Sequence, residues 1–294
     1  MNQSRLVYFK GNKRFSLDII EGFFNGFNEY RFSRKYKILT CFVHKNMCTV
    51  LSEILCLLDY PKLFKDGKKI TDEGYQNRSC KKINEANTLS FINLPNNYES
   101  KTKNNWIYLM VIRNPIERFI SGFIDRCDNN RINFFSPYKC FGCNRNLSCV
   151  LNNIYKRTIN LTYNKNVFHR NADDYHFAPQ TWRCNLKKNF DKFIFLNYSD
   201  IETFYVNLIS QLRRNDVEEK FLKKIENELH SSRTYHSTIF SEKRLKLQRI
   251  LEENVDMMAL LVSIYYHDFV TFNFPIPNIN LTITENLNFI RLYI

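Results

Sequence analysis

A lysine and a threonine stand where an apolar run gives way to a helical pattern, and their spacing suits phosphate binding. The apolar run covers residues 37–43, and VLSEILCLL (50–58) carries apolar residues at helical spacing. The intervening HKNMCT (44–49) supplies the ammonium of Lys45 and the hydroxyl of Thr49 at the start of the helix. Backbone N–H groups at a helix N-terminus attract anions, so the segment predicts a phosphate-binding loop. The glycines of the Walker A motif are absent, and ordinary nucleoside triphosphate hydrolysis is therefore not indicated.

A second candidate anion site lies in VIRNPIERFISGF (111–123). Residues 106–112 are continuously apolar, which is typical of a strand buried on both faces in a parallel sheet. Pro115 suits the first turn of a helix, and the apolar residues after it recur at helical spacing. This pattern places Arg113 at the carboxyl end of the strand and Ser121 about two turns into the helix. Ligands bind at that end of the strands in open α/β sheets, so the pair predicts an anion site.

An interpretation without a ligand is also open for this second segment. Arg113 could cap the helix or pair with Glu117, and Ser121 with Gly122 could allow another element to pack closely against the helix. The stretch by itself does not separate the two interpretations.

The order of the two motifs resembles that of a known enzyme family. A strand–loop–helix with Lys45 and Thr49, followed by strand-Arg-x-Pro-x-x-Arg-Phe-x-Ser-Gly-Phe, resembles the Golgi carbohydrate sulfotransferases. The likeness is greatest to the nematode-type group related to chondroitin 4-O-sulfotransferases. Four further segments extend the resemblance to roughly residues 35–277: CDNNRINFFSPYKCFGCNRNLSC (127–149), DDYHFAPQTWRC (173–184), FDKFIFLNYSDIETF (190–204) and LVSIYYHDFVTFNFPIP (261–277).

The resemblance implies a fold and a division of the chain. The fold is a P-loop-like α/β fold, in which helices flank a parallel sheet and a Cys-rich insertion is present. The sulfotransferase domain is expected at 36–277, between an N-terminal extension at 1–35 and a C-terminal tail at 278–294.

The pattern of elements agrees with a parallel sheet, because strands alternate with helices. The predicted order is strand 37–43, helix 49–59, loop 60–103, strand 106–112, helix 115–128, the Cys-rich insertion 129–189, strand 191–197, and helices near 200–213, 216–230 and 241–266.

The resemblance also implies the sulfuryl donor, 3′-phosphoadenosine 5′-phosphosulfate (PAPS), and no metal. Arg113 and Ser121 are expected to hold its 3′-phosphate. The loop expected to cradle its 5′-phosphosulfate consists of Lys45, Asn46, Met47, Cys48 and Thr49. Lys45 would also stabilise charge on the transferring sulfuryl group. His44 and Cys48 depart from the residues usual in related families.

A general base must take the proton of the acceptor hydroxyl, and histidine suits that task near neutral pH. His176 is the first candidate, because its polar segment DDYHFAPQ is interpreted as a loop near the acceptor. It could instead structure that loop through Asp173 or Asp174.

His44 and Glu53 are the alternative bases, whereas His267 is expected to pack within a C-terminal helix. Arg233 is a further candidate for the 3′-phosphate, with a solvated loop as the competing interpretation.

The charge of the chain indicates an anionic partner. Its formal net charge is +14 and its pI is near 9.3. An acidic glycan, an anionic membrane surface or a nucleic acid would fit, but no nucleic-acid-binding motif is present. By resemblance the expected acceptor is a glycosaminoglycan, with chondroitin 4-O-sulfation as the first choice. The alternative is a catalytically silent relative that binds donor or acidic glycan.

Nine cysteines and six N-x-S/T sequons bear on the compartment. Cys140 and Cys143 form a C-x2-C pair that could be half of a zinc site, whereas the resemblance favours disulfides. Cys41, Cys48 and Cys56 are interpreted as core or loop thiols. The odd total leaves at least one cysteine outside any intrachain disulfide.

The resemblance implies the Golgi lumen or secretory pathway, with membrane association typical of the family. Residues 1–36 contain no apolar stretch near the ~20 residues of a membrane span and no signal-peptide core. MMALLVSIYY (257–266) is better interpreted as a buried helix. A shortened chain and a protein outside the secretory pathway are both open.

Overall fold

The computed structural model describes residues 4–65, 67–72, 74–90, 106–128, 139–163, 171–231, 242–278 and 281–284. The described part is mixed α/β, which confirms the predicted fold class. Its strands are β1 (Arg5–Lys10), β2 (Lys13–Asp18), β3 (Tyr30–Ser33), β4 (Ile38–Cys41), β5 (Glu85–Ala86), β6 (Ile107–Ile112), β7 (Phe193–Asn197) and β8 (Leu281–Thr284). Its α-helices are α1 (Cys48–Asp59), α2 (Pro115–Cys127), α3 (Leu147–Tyr163), α4 (Ala172–Phe177), α5 (Leu186–Asn189), α6 (Ile201–Arg214), α7 (Glu219–Ser231), α8 (Glu242–Glu253) and α9 (Val255–Thr271).

The chain divides into two compact units. The sheet unit comprises the described residues within Asn25–Arg113 and Trp182–Ser237. The helical unit comprises the described residues within Met1–Phe24, Asn114–Thr181 and Thr238–Ile294.

The sheet unit contains a five-stranded sheet in the order β5-β3-β4-β6-β7. β4, β6 and β7 are parallel, as the alternation of strands and helices predicts. β3 and β5 add an antiparallel edge, so the sheet is mixed rather than wholly parallel. The four-residue β3 is joined to β4 by residues 34–37, where Lys37 has φ 54°. A strand this short gives little periodic signal in the sequence.

The core of the sheet unit explains the apolar run of β6. Leu109 and Val111 pack in one buried cluster with α1, α6 and α7. Met110 is also fully buried, so β6 is covered on both faces, as its continuous apolarity predicts. The register pairs Cys41 of β4 with Met110, and the two parallel strands therefore end at the same edge of the sheet.

The helical unit packs α2, α3, α8 and α9 around a second apolar core. The helical region predicted near 241–266, interpreted as one helix or two, is two helices, because Asn254 ends one run and caps α9 by accepting a hydrogen bond from the N–H of Met257. β1 lies between β2 and β8 in an antiparallel sheet that the sequence interpretation did not anticipate. His267 lies within α9, as expected.

Eight of the nine cysteines form disulfides, which confirms the disulfide prediction. The pairs are Cys41–Cys184, Cys56–Cys80, Cys127–Cys140 and Cys143–Cys149. The interpretation of Cys41 and Cys56 as thiols is wrong, because both are disulfide-bonded. Their partners lie 143 and 24 residues further along the chain, so no local pattern pairs them. Zinc ligation by the C-x2-C pair also fails, since both of its sulfurs are in disulfides. Cys48 is the free thiol.

Across the residues that the structure describes, the helices are too short or too polar for any of them to span a lipid bilayer.

The half-buried imidazole of His267 predicts a pH dependence of stability. Burial lowers its pKa from 6.5 to about 4. Between these values the unfolded chain binds a proton that the folded chain excludes, so the free energy of unfolding rises with pH over this window. We expect the unfolding free energy of the wild type, relative to that of His267→Gln, to increase by roughly 3 kcal/mol between pH 4 and pH 7. Urea denaturation at a series of pH values measures it, and parallel curves for both proteins would contradict it.

The disulfide pattern makes a second prediction. Alkylation in denaturant without reductant should label Cys48 alone, because the other eight sulfurs are oxidised. Peptide mass mapping measures the label, and Cys48→Ser is the control that should take up none. Stoichiometric label on Cys41 or Cys56 would contradict the pairing.

Candidate functional site

The loop between β4 and α1 has the backbone shape of an anion site. Lys45 has φ 71° and Met47 has φ 60°, so two non-glycine residues adopt the left-handed conformation that glycines often supply in phosphate loops. Met47 is the N-cap of α1, and no described side chain caps the helix there. Amides of the first turn lack intrahelical acceptors, and they are therefore the donors that an anion at this end would use.

Two hydrogen bonds tie this loop to β6 within the sheet unit. Nη1 of Arg113 donates to the carbonyl oxygen of Lys45 at 3.0 Å. Nδ2 of Asn46 donates to the carbonyl oxygen of Val111 at 2.8 Å. The structure thus brings Arg113 together with the first predicted loop, although the two lie 68 residues apart in the sequence. Lys45 and Thr49 are half-buried, and the side chain of Asn46 is fully enclosed.

Arg113 is only 4% exposed, and its guanidinium lies over the ring of Tyr198, 5.3 Å from the ring centre. Tyr198 follows β7 and donates its N–H to the carbonyl oxygen of Ile112 at 2.8 Å. The helix cap itself is Asn114, whose side chain accepts from the N–H groups of Ile116 and Glu117. The capping role considered for Arg113 therefore belongs to its neighbour.

Ser121 lies in the second turn of α2 and is half-buried. The adjacent Gly122 does allow close packing: a Cβ at this position would stand 2.9 Å from the ring of Phe177. The packing interpretation therefore holds for Gly122. The shared role of Ser121 and Arg113 on one phosphate stays a prediction.

His176 lies at the end of α4, so its segment is helical where the sequence predicted a loop. Its Nδ1 is 2.6 Å from the carbonyl oxygen of Ala172, and its Nε2 is 3.8 Å from Oδ2 of Asp125. A carbonyl oxygen only accepts, so Nδ1 carries the proton and the lone pair of the neutral ring is on Nε2. The imidazole is thereby oriented for proton transfer at Nε2, beside a carboxylate that would stabilise the imidazolium.

The aspartates near His176 have other partners. Asp173 binds Nε of Arg126 at 2.6 Å, and Asp174 binds Nη2 of Arg157 at 2.6 Å. Asp174 also completes a capping box with Asn171 at the start of α4. These contacts fix the helix that carries His176.

The alternative bases are more deeply buried. His44 is 8% exposed, and its Nδ1 lies 3.8 Å from Oε2 of Glu29. Burial raises the pKa of Glu29, against the opposing effect of Arg183 and Arg31. Glu53 is buried within α1. Arg233 lies outside the described residues.

Cys48 begins α1 inside the predicted donor loop. Burial raises the pKa of its thiol, although nearby Lys45 acts in the opposite direction. Its sulfur is therefore a neutral thiol near pH 7 rather than a thiolate nucleophile.

Sequence reasoning missed the role of Arg118 in the helical unit. Its Nη2 donates to the carbonyl oxygens of His176 and Ala178, at 3.1 and 2.9 Å. The signal was the second arginine of Arg-x-Pro-x-x-Arg, which lies on the same helix as Ser121. Nothing local in the sequence tells which backbone groups that guanidinium meets.

The chain is similar in sequence to several known proteins. Among curated proteins of Caenorhabditis elegans, the chain is 35% identical to the uncharacterized protein C18B2.2, over 88% of this chain and 72% of that protein. It is 34% identical to the putative sulfotransferase vep-2, over 70% of this chain and 64% of that protein. It is 27% identical to the carbohydrate sulfotransferase chst-1, over 89% of this chain and 80% of that protein. No solved structure matches the chain.

The family described as the sulfotransferase family matches residues 28–275, a span that contains the β4–α1 loop, Arg113, Ser121 and His176. Because this span covers most of the chain, the protein belongs to the sulfotransferase family.

Proposed function

We propose that this protein is a carbohydrate sulfotransferase that moves a sulfuryl group from PAPS to a hydroxyl of a glycosaminoglycan. Chondroitin 4-O-sulfation is the first choice of reaction. The observation that carries the proposal is the hydrogen bond from Arg113 to the carbonyl of Lys45, which joins two cationic anchors at the uncapped start of α1. The relative named as a carbohydrate sulfotransferase supports a glycan acceptor.

The donor would be held by groups that already favour an anion. In the proposal, backbone N–H groups of Met47, Cys48 and Thr49, with the Thr49 hydroxyl, bind the 5′-phosphosulfate, while Asn46, whose own N–H donates to the carbonyl oxygen of Val43 at 3.2 Å, holds the shape of the loop. Lys45 neutralises charge on the sulfuryl group and on the bridging oxygen as the bond between them breaks. Arg113 and Ser121 bind the 3′-phosphate, with an arginine for charge and a hydroxyl as a further donor. No metal takes part.

The reaction needs one proton acceptor. The acceptor oxygen bonds to sulfur while the bond from sulfur to the bridging oxygen breaks, and adenosine 3′,5′-bisphosphate leaves. The hydroxyl proton passes to Nε2 of His176, because Nδ1 is engaged with the carbonyl of Ala172. Asp125, 3.8 Å from Nε2, stabilises the imidazolium that forms. Lys45 and His176 are thus the proposed catalytic residues.

Charge and oxidation state support the proposed acceptor and compartment. A net charge of +14 favours a polyanionic acceptor, and chondroitin is one. Four disulfides form and persist in oxidising compartments, which supports the secretory pathway and the Golgi lumen. Four sequon asparagines are exposed: Asn77, Asn146, Asn160 and Asn197. We assign catalysis to residues 36–277, with membrane association as the family resemblance implies.

The proposed donor site predicts the effect of removing either cation. We expect Lys45→Ala and Arg113→Ala each to reduce sulfate transfer from radiolabelled PAPS to chondroitin by ~10²–10³-fold. Arg113→Ala should also weaken donor binding in calorimetry by at least about tenfold, because a charged hydrogen-bond donor is lost. Dermatan, heparosan and desulfated glycans serve as parallel acceptors.

Matched controls remove the same charges elsewhere in the sheet unit. Lys62→Ala and Arg214→Ala alter exposed cations and should leave transfer and donor binding unchanged. Transfer to no glycan, with donor binding retained, would indicate the alternative, a silent relative that binds donor. A wild-type protein that neither transfers sulfate nor binds the donor would overturn the proposal.

The proposed base predicts a change in turnover rather than in donor binding. We expect His176→Gln to lower kcat by ~10²–10⁴-fold, because the hydroxyl proton loses its acceptor. The KM for PAPS should stay within about twofold, because His176 is not among the proposed donor-binding residues. Steady-state kinetics with chondroitin measures both values. If His44→Gln abolished turnover and His176→Gln did not, the assignment of the base would be wrong.

A further inference from the structure

We propose that α2 and α9 position the general base by forming hydrogen bonds with the backbone of residues 176–181. This turn, HFAPQT, begins with His176, and the inference rests on the proposed function. Arg118 on α2 and Tyr265 with Asp268 on α9 are the positioning residues. None of the three is assigned a contact with donor or acceptor.

The α2 contact is a buried guanidinium. Arg118 is 1% exposed, and its Nη2 donates to the carbonyl oxygens of His176 and Ala178. The first of these carbonyls belongs to the proposed base itself. One planar group thus fixes the main chain at two points on either side of Phe177.

Two side chains of α9 form hydrogen bonds with the rest of the turn. The hydroxyl of Tyr265 donates to the carbonyl oxygen of Phe177 at 2.7 Å. The carboxylate of Asp268 accepts from the N–H of Gln180 at 2.8 Å and from that of Thr181 at 2.9 Å. Asp268 is 0% exposed, so its carboxyl group is entirely within the protein. Five backbone groups of one six-residue turn are therefore held by three buried side chains.

The turn is held by two buried side chains of ionisable type, Arg118 and Asp268. Burial raises the pKa of Asp268, while the Arg118 cation and the two amides act to keep it charged. Burying opposite charges is weak evidence for stability, because apolar residues of similar volume often stabilise a fold equally well. Arg118 and Asp268 do fix a backbone geometry, because each of their hydrogen bonds to the main chain has a direction.

A steric contact between Phe177 and Gly122 also restrains this turn. The ring of Phe177 occupies the space beside Gly122 on α2, where a Cβ would stand 2.9 Å from a ring carbon. Phe177 is also 1% exposed and packs against Phe119. Since Phe177 directly follows His176, this packing also restrains the main chain at His176.

These contacts matter for catalysis because they determine the orientation of the His176 imidazole. The carbonyl of Ala172 and the carboxylate of Asp125 define the direction of the imidazole, but both act only if the main chain of His176 stays in place. A displacement of about 1 Å at a reacting group can lower a rate by as much as ~10²-fold. Loosening the turn should therefore reduce kcat without weakening donor binding.

The test uses the whole protein with Tyr265→Phe and Asp268→Asn, each alone and each combined with His176→Gln. We expect each single variant to lower kcat at least about fivefold, with the KM for PAPS unchanged. In the His176→Gln background the same changes should have no further effect, since the group they position is absent. Phe269→Leu, a buried α9 variant without these hydrogen bonds, controls for stability loss and should retain kcat.

A second measurement does not depend on turnover. Nitrogen NMR of the histidines should show His176 as the Nδ1–H tautomer in the wild type and as a mixture of tautomers in Tyr265→Phe and Asp268→Asn. Full additivity with His176→Gln, or an unchanged tautomer in both variants, would overturn the positioning role. Wild-type turnover that survives His176→Gln would instead overturn the proposed base, and the tautomer measurement would still decide whether these hydrogen bonds orient the ring.

Discussion

Arg113 donates a hydrogen bond of 3.0 Å to the carbonyl oxygen of Lys45, and the candidate site depends on this contact. The β4–α1 loop contains two non-glycine residues in the left-handed conformation, which costs free energy at each of them. A charged donor to one loop carbonyl, with the amide of Asn46 on Val111, offsets part of that cost. The parallel pairing of β4 with β6 makes the contact feasible, because it brings both strand ends to one edge.

The guanidinium of Arg113 is held in place at this edge before any ligand arrives. Arg113 is stacked on Tyr198 and bonded to the loop, so little side-chain entropy is left to lose when an anion binds. The start of α1 adds amide donors without a side-chain cap. A preorganised set of donors of this kind favours developing negative charge more than flexible surface lysines do.

The helical unit uses buried polar side chains for a comparable purpose. Arg118, Tyr265 and Asp268 satisfy backbone groups of a turn that would otherwise be enclosed without partners. The same bonds fix the residue that begins the turn, His176. The sheet unit adds a covalent constraint, because the Cys41–Cys184 disulfide joins the end of β4 to a segment 143 residues further along the chain.

The sequence by itself determined the α/β class, the parallel strands β4, β6 and β7 and most helices, because periodicity and turn residues act over short distances. It also located the β4–α1 loop, Arg113 and His176 as candidates through residue types at fixed spacing. Only the tertiary structure decided the antiparallel edge, the pairing of Cys41 and Cys56, and the hydrogen bonds of Arg118 and its partners to the turn. The physical reason is separation along the chain. Each of these features joins groups that only the packing of the fold brings together, and the local sequence does not specify which distant atoms they contact.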